Sequence, residues 1–161
     1  MTLAEAICGA IMALSMPNAD TACKHMDTVV EASKRYNVDP VVMTALIHTE
    51  SRWSPRAVSR HGACGFTQIL PKYTKRFYGG QSSCEDLFDP RLSIYKGADI
   101  LGYHLKRYRR SYNRSLCSYN AGARRCRPGT PRNKGHRYAR KIMRLTRKIK
   151  RNMRYVHKAI R

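Results

Sequence analysis

The sequence predicts a mainly α domain with at most a small β-hairpin, ending in a long basic amphipathic helix. Three observations carry this. Asp39-Pro40 is an N-cap followed by a proline at the first helical position, and it opens a run to Ser51 that is apolar nearly all round. Asp89-Pro90 repeats that signature ahead of a second long segment. Tyr138, Ile142, Leu145, Ile149, Met153, Val156 and Ile160 recur at steps of three or four, and the opposite face of that helix is almost all Lys and Arg. A chain of 161 residues suits one domain with a real core.

The elements follow in order. Ala6 to Met16 is an apolar run broken only by Ser15, long enough for the core of an export signal and too short to span a bilayer. No Lys or Arg precedes it, and Leu3, Ile7, Ile11 and Leu14 also fall at helical spacing, so residues 1–22 read as a signal or weak anchor, or as an ordinary amphipathic helix. Asp27 to Tyr36 is a short helix ended by Asn37. Pro40 to Ser51 is the buried helix. Arg52 to Pro71, with Pro55, Gly62 and Gly65, is mostly loop. Lys72 to Tyr78 is a short helix stopped by Gly79-Gly80. Asp89 caps a helix running to about Arg109, and Arg114 to Ala121 forms another, ended by Gly122. Arg124 to Gly135, with Pro128 and Pro131, is a basic loop. Residues 23–145 form the central domain and 146–161 a basic helical extension. The stripe from Ile149 to Ile160 must be buried, against the body and the N-terminal helix or on a membrane.

Charge is divided unevenly. Residues 1–99 carry 11 basic and 10 acidic side chains, whereas residues 100–161 carry 21 basic and none acidic, within a total of +22. The C-terminal part is a polycation that seeks anionic envelope polymers, lipid or nucleic acid. The tyrosines interleaved there match no nucleic-acid motif.

The six cysteines include no Cys-x-x-Cys pair, and the six histidines show no paired ligand spacing, so no metal and no cofactor is expected. An even cysteine count, with Cys64, Cys84, Cys117 and Cys126 in or beside loops, fits disulfides in an oxidising compartment or packed reduced thiols. Six cysteines admit many pairings, and the spacing favours none of them.

Glu50 is the candidate catalytic residue. A carboxylate at the end of a buried helix loses hydration, which favours its protonated form and suits a general acid. The alternative is a helix-end glutamate that reaches water. No Asp or Glu lies between Ser51 and Cys84, so the two-carboxylate arrangement of an ordinary glycosidase has no obvious second member nearby.

Glu50-Ser51, Gly65-Phe66-Thr67-Gln68, Tyr119-Asn120-Ala121-Gly122 and then Tyr138 fall in a fixed order. This succession resembles the soluble lytic transglycosylase family over roughly residues 27–145. That family shares a lysozyme-like fold with goose-type lysozymes. The resemblance implies non-hydrolytic cleavage of the bond between N-acetylmuramic acid and N-acetylglucosamine, with Glu50 as acid and then base. It implies that Ser51 positions Glu50 or the sugar and that Gln68 hydrogen-bonds the glycan. It implies too that Gly65 admits close backbone approach, that Tyr119 and Asn120 line the cleft, and that Tyr138 tunes Glu50. Two departures stand out. The family usually has Leu-Met where this chain has Phe66-Thr67, and an acidic residue before the late tyrosine where this chain has Gly135-His136-Arg137. Trp53 reads as core packing or as a sugar platform.

Peptidoglycan is therefore the expected partner, outside the cytoplasm, for a monomeric enzyme. The alternatives are a hydrolytic lysozyme-type muramidase and a basic nucleic-acid- or membrane-binding protein on an inactive lysozyme-like fold. The lack of acidic residues from Ser51 to Cys84 favours the transglycosylase over goose-type lysozymes. A phage lysis or entry enzyme fits a small basic domain of this kind, as does a secretion or conjugation accessory.

Overall fold

A computed structural model describes residues 1–159, with side chains to residue 155. Eight α-helices follow one another among the described residues: α1 (Leu3–Ala13), α2 (Ala19–Lys24), α3 (Met26–Arg35), α4 (Pro40–Ser51), α5 (Cys84–Leu87), α6 (Pro90–Arg107), α7 (Tyr112–Ala121) and α8 (Lys134–Ala159). Helix α1 packs on α3, α3 on α6, α6 on α7, α7 on α8, and α8 back on α1. Helix α4 is held between α3 and α8, and Val41 through Ile47 are all buried.

The caps are those the sequence writes. The Asp39 carboxylate accepts from the Val41 and Val42 amides, and Asp89 accepts from Leu92. In α1, Thr2 and Glu5 form a reciprocal capping box, and Ile7, Ala10 and Ile11 are fully buried. Residues 6–13 of the N-terminal apolar run thus lie in α1, whose inner face packs into the core. On α8, Ala139, Ile142, Thr146 and Ile149 face inward, and Lys150 pairs with Asp39, fixing the helix to the start of α4. Met153 is half-buried against the core, while Val156 and Ile160 of the expected stripe lie outside the described side chains.

The chain between α4 and α6 departs from expectation. The helix expected over Lys72–Tyr78 is a single 3₁₀ turn, Pro71–Tyr73. Side-chain bonds replace helical ones: Thr74 donates to the Pro71 carbonyl and accepts from the Ser82 amide, and the buried Lys96 ammonium donates to the carbonyls of Tyr78 and Gly80. The expected hairpin is only a pair of isolated bridges, Val58 with Cys64 and Cys64 with Ile69. The short helix α5 arises from a Ser83–Asp86 capping box that periodicity does not reveal in four residues. The basic loop holds a 3₁₀ turn, Ala123–Cys126. Three disulfides, Cys8–Cys23, Cys64–Cys84 and Cys117–Cys126, account for all six cysteines.

Candidate active site

Glu50 stands in the last turn of α4, just before the chain reverses. Arg52 and Trp53 both have positive φ, +50° and +62°, a region costly for non-glycine residues. The turn is held by the Asn18 amide, which donates to the Arg52 carbonyl at 2.7 Å. It is also held by Trp53, 2% exposed and edge-on to the ring of Phe66. Trp53 is therefore core packing, as is Phe66.

The Tyr138 hydroxyl, from the first turns of α8, donates to Glu50 Oε1 at 2.5 Å. Glu50 keeps some exposed surface, but protein atoms crowd most of the carboxyl. That burial raises its pKa from the ordinary 4.5 to about 7, against the smaller lowering effects of the Tyr138 hydrogen bond and of Lys141. Tyr138 and Lys141 lie three residues apart, hence on one side of α8. No other carboxylate among the described residues contributes to the shift. Burial, and then the Glu50 charge, push the Tyr138 hydroxyl well above its usual range, so it remains a hydrogen-bond donor. Tyr119 is likewise raised by burial and by Glu50, and it donates to the Thr67 carbonyl at 2.8 Å. One carboxyl and two phenols thus lie together where α4, α7 and α8 meet.

The loop carrying Gly65 to Gln68 forms a further wall. Gly65 has φ +76°, and a Cβ there would lie 2.1 Å from the Leu87 carbonyl oxygen, so only glycine fits. Thr67 is fully buried, and its hydroxyl bonds to Ser93 of α6. The residue standing where the family usually has methionine therefore points into the core. Gln68, with φ +50°, donates its amide nitrogen to the carbonyls of Ala57 and Gly65 at 3.0 and 2.9 Å. Its amide group holds the loop closed, leaving the oxygen as its free polar atom. The Ser51 hydroxyl donates to Ile47 within its own helix at 3.2 Å, and it is not hydrogen-bonded to Glu50. Asn120 is exposed at the end of α7. Sequence reasoning missed Lys141, Ser93 and Lys96. Lys141 sits in a run of cations, and only the fold shows which one acts on the Glu50 charge. No group of three His, Cys, Asp or Glu side chains suited to a metal occurs among the described residues.

The family model of the transglycosylase SLT domain matches residues 27–142, from the start of α3 into the first half of α8. The chain belongs to that family. The SLT domain here is 34% identical over 101 residues to a transglycosylase of Enterobacteria phage PRD1, covering 63% of this chain and 36% of that protein. It is 36% identical over 86 residues to membrane-bound lytic murein transglycosylase C of Edwardsiella ictaluri, covering 50% of this chain and 24% of the other. The chain thus spans about a third or less of the curated relatives it matches. Among solved structures, the 70 kDa soluble lytic transglycosylase SLT70 of Escherichia coli aligns with a TM-score of 0.72 at 22% identity, covering 79% of this chain and 24% of that one. The fold is the mainly α, lysozyme-like SLT fold.

Proposed function

We propose that this SLT domain is a peptidoglycan lytic transglycosylase acting through Glu50 alone. The observation that carries the reading is the Glu50 carboxyl, buried to a pKa of about 7 and hydrogen-bonded by Tyr138, with no second carboxylate among the described residues acting on it. A group of that pKa is populated as both acid and base near neutrality, and the same atom must serve as each in turn.

The steps balance on that one proton. Protonated Glu50 gives its proton to the glycosidic oxygen between N-acetylmuramic acid and N-acetylglucosamine, and the C1–O bond breaks. The substrate's acetamido oxygen stabilises the cationic C1. The Glu50 carboxylate, held by Tyr138 and by the charge of Lys141, then takes the proton of the muramoyl C6 hydroxyl as O6 attacks C1. A 1,6-anhydro ring forms, no water is consumed, and Glu50 is protonated again. Tyr119 and Asn120, with the oxygen of Gln68, line the sugar-facing side. Ser51 finishes the helix end, and Gly65 permits the close loop.

The setting is the cell envelope, outside the cytoplasm, where the three disulfides fit an oxidising compartment. The polycationic C-terminal part holds the monomer on anionic envelope. Mass spectrometry of digested peptidoglycan tests the function. Anhydro-ended muropeptides, each one water lighter than their hydrolytic counterparts, are expected, and reducing-end muramic acid as the main product would place the chain with the lysozymes.

A further inference from the structure

Arg140, Arg144, Arg147, Arg151 and Arg154 of α8 are all exposed, and they follow one another at steps of four, three, four and three. On a helix with about 3.6 residues per turn they fall within an arc of roughly 80°, a single row about 21 Å long. The row lies opposite the face that buries Ile142 and Ile149. The three salt bridges among the described residues are Arg56–Glu85, Arg91–Glu31 and Lys150–Asp39, and none uses the row. No acidic residue follows Asp99 that could pair with it. A merely solubilising face mixes charges of both signs, whereas like charges three and four apart disfavour the helix that carries them. Every member is arginine, whose planar fork takes phosphate oxygens two at a time.

A second feature adjoins the row at its end. Leu3, Ala6, Val41 and Met153 line a hollow of about 800 Å³ between α1, α4 and α8, edged by the Asp39–Lys150 ion pair and by Arg154 of the row. Leu3 is 44% exposed there, and Tyr155, beside Arg154, is 64% exposed. Phosphate-binding groups next to an exposed apolar hollow match an amphiphile with a phosphate head. Single-stranded nucleic acid asks for aromatic platforms repeated along the cationic track, and the row has a single exposed one, Tyr155, at its end.

We propose that the outer face of α8 docks this protein on an anionic phospholipid bilayer, the arginine row against the headgroup phosphates and the hollow against apolar lipid. This deepens the reading of the polycationic region and rests on it. Because the apolar face of α8 is spent on the core, the helix lies along the surface without inserting, so binding is chiefly electrostatic and salt-sensitive and the hollow supplies the smaller apolar contribution. Glu50 and Tyr138 meet on the opposite side of α8, so docking leaves the cleft open.

The test is co-sedimentation of the full chain with vesicles of equimolar phosphatidylglycerol and phosphatidylcholine, with pure phosphatidylcholine vesicles and duplex DNA at equal phosphate as separate arms. Cleavage of short soluble glycans is measured in parallel. The parent should bind the anionic vesicles and release them as salt rises. Arg144→Gln/Arg147→Gln/Arg151→Gln should lose about a hundredfold in vesicle affinity, about fivefold per arginine, with its helical spectrum and short-glycan cleavage unchanged. Leu3→Ser, at an exposed position, should weaken vesicle binding severalfold and leave DNA retention alone. Undiminished vesicle binding by the triple variant or by Leu3→Ser would overturn the proposal, as would tighter binding of the parent to duplex DNA. Failure of the parent to cleave glycan would strike the enzymatic reading alone, since vesicle binding is read without it.

Discussion

Replacing Glu50 by Gln tests the site through two readouts at once. In the folded protein the carboxyl titrates at about 7, whereas an unhindered glutamate titrates at 4.5. The folded-state pKa is raised, so the folded state holds the proton more tightly than the unfolded chain. The associated stability is fully present below pH 4.5 and is lost as pH rises toward 7. Each pKa unit is about 1.4 kcal/mol, so full ionisation costs about 3 kcal/mol of folding stability. Glutamine keeps the shape, can still accept from Tyr138 and does not titrate. Glu50→Gln should therefore match the parent near about pH 4 and exceed it by about 3 kcal/mol near about pH 9. In a domain of this size that is roughly 6–12 °C in Tm. Thermal unfolding followed by circular dichroism across that range measures the difference, and a turbidity assay on exposed peptidoglycan measures catalysis. Loss of a general acid typically costs about 10²–10⁴-fold, and a residue serving as acid and base should lie at the upper end. A pH-independent stability difference would refute the buried, protonated carboxyl. Near-full lytic activity in Glu50→Gln would refute the mechanism.

Other outcomes follow from the same geometry. Tyr138→Phe removes the hydrogen bond that lowers the Glu50 pKa, so the descending alkaline limb of the pH–rate profile should move to higher pH; a limb that stays in place would separate Tyr138 from the titration. Tyr119→Phe deletes the bond to the Thr67 carbonyl and should cost about 1 kcal/mol in urea unfolding. Gly65→Ala must force a side chain into a positive-φ site against the Leu87 carbonyl, at a cost of at least about 1–2 kcal/mol, and should depress lysis by displacing the Gln68 loop. Cys64→Ser/Cys84→Ser opens a disulfide with a sequence separation of 20 and should lower stability by about 3 kcal/mol, with a larger loss of lysis than the comparable change at Cys8 and Cys23, which lies away from the catalytic loop.

Much of this protein was determined locally. Asp39-Pro40 and Asp89-Pro90 state where α4 and α6 begin, because a cap and a proline act on the amides of the next turn. The inward face of α8 is written in its three- and four-residue spacing, because a helix fixes which residues share a side. The ordered blocks from Glu50 to Tyr138 disclosed the family by themselves, and the absence of acid after Asp99 disclosed the polycation. The tertiary structure decided what depends on distant partners. Glu50 and Tyr138 are 88 residues apart, and only the packing of α8 on α4 brings them together. The cysteine pairing was fixed in the same way, since any sequence spacing is closed or left open by the fold. Lys72 to Tyr78 could have been helical on its own composition, but Thr74 and the buried Lys96 offered its backbone other partners. The Gln68 amide turns inward for the same reason, because two carbonyls of its own loop would otherwise lose those hydrogen bonds. The acidity of Glu50 belongs to both levels. The sequence put a carboxyl at the end of an apolar helix, and the surrounding helices removed enough water to carry its pKa to neutrality.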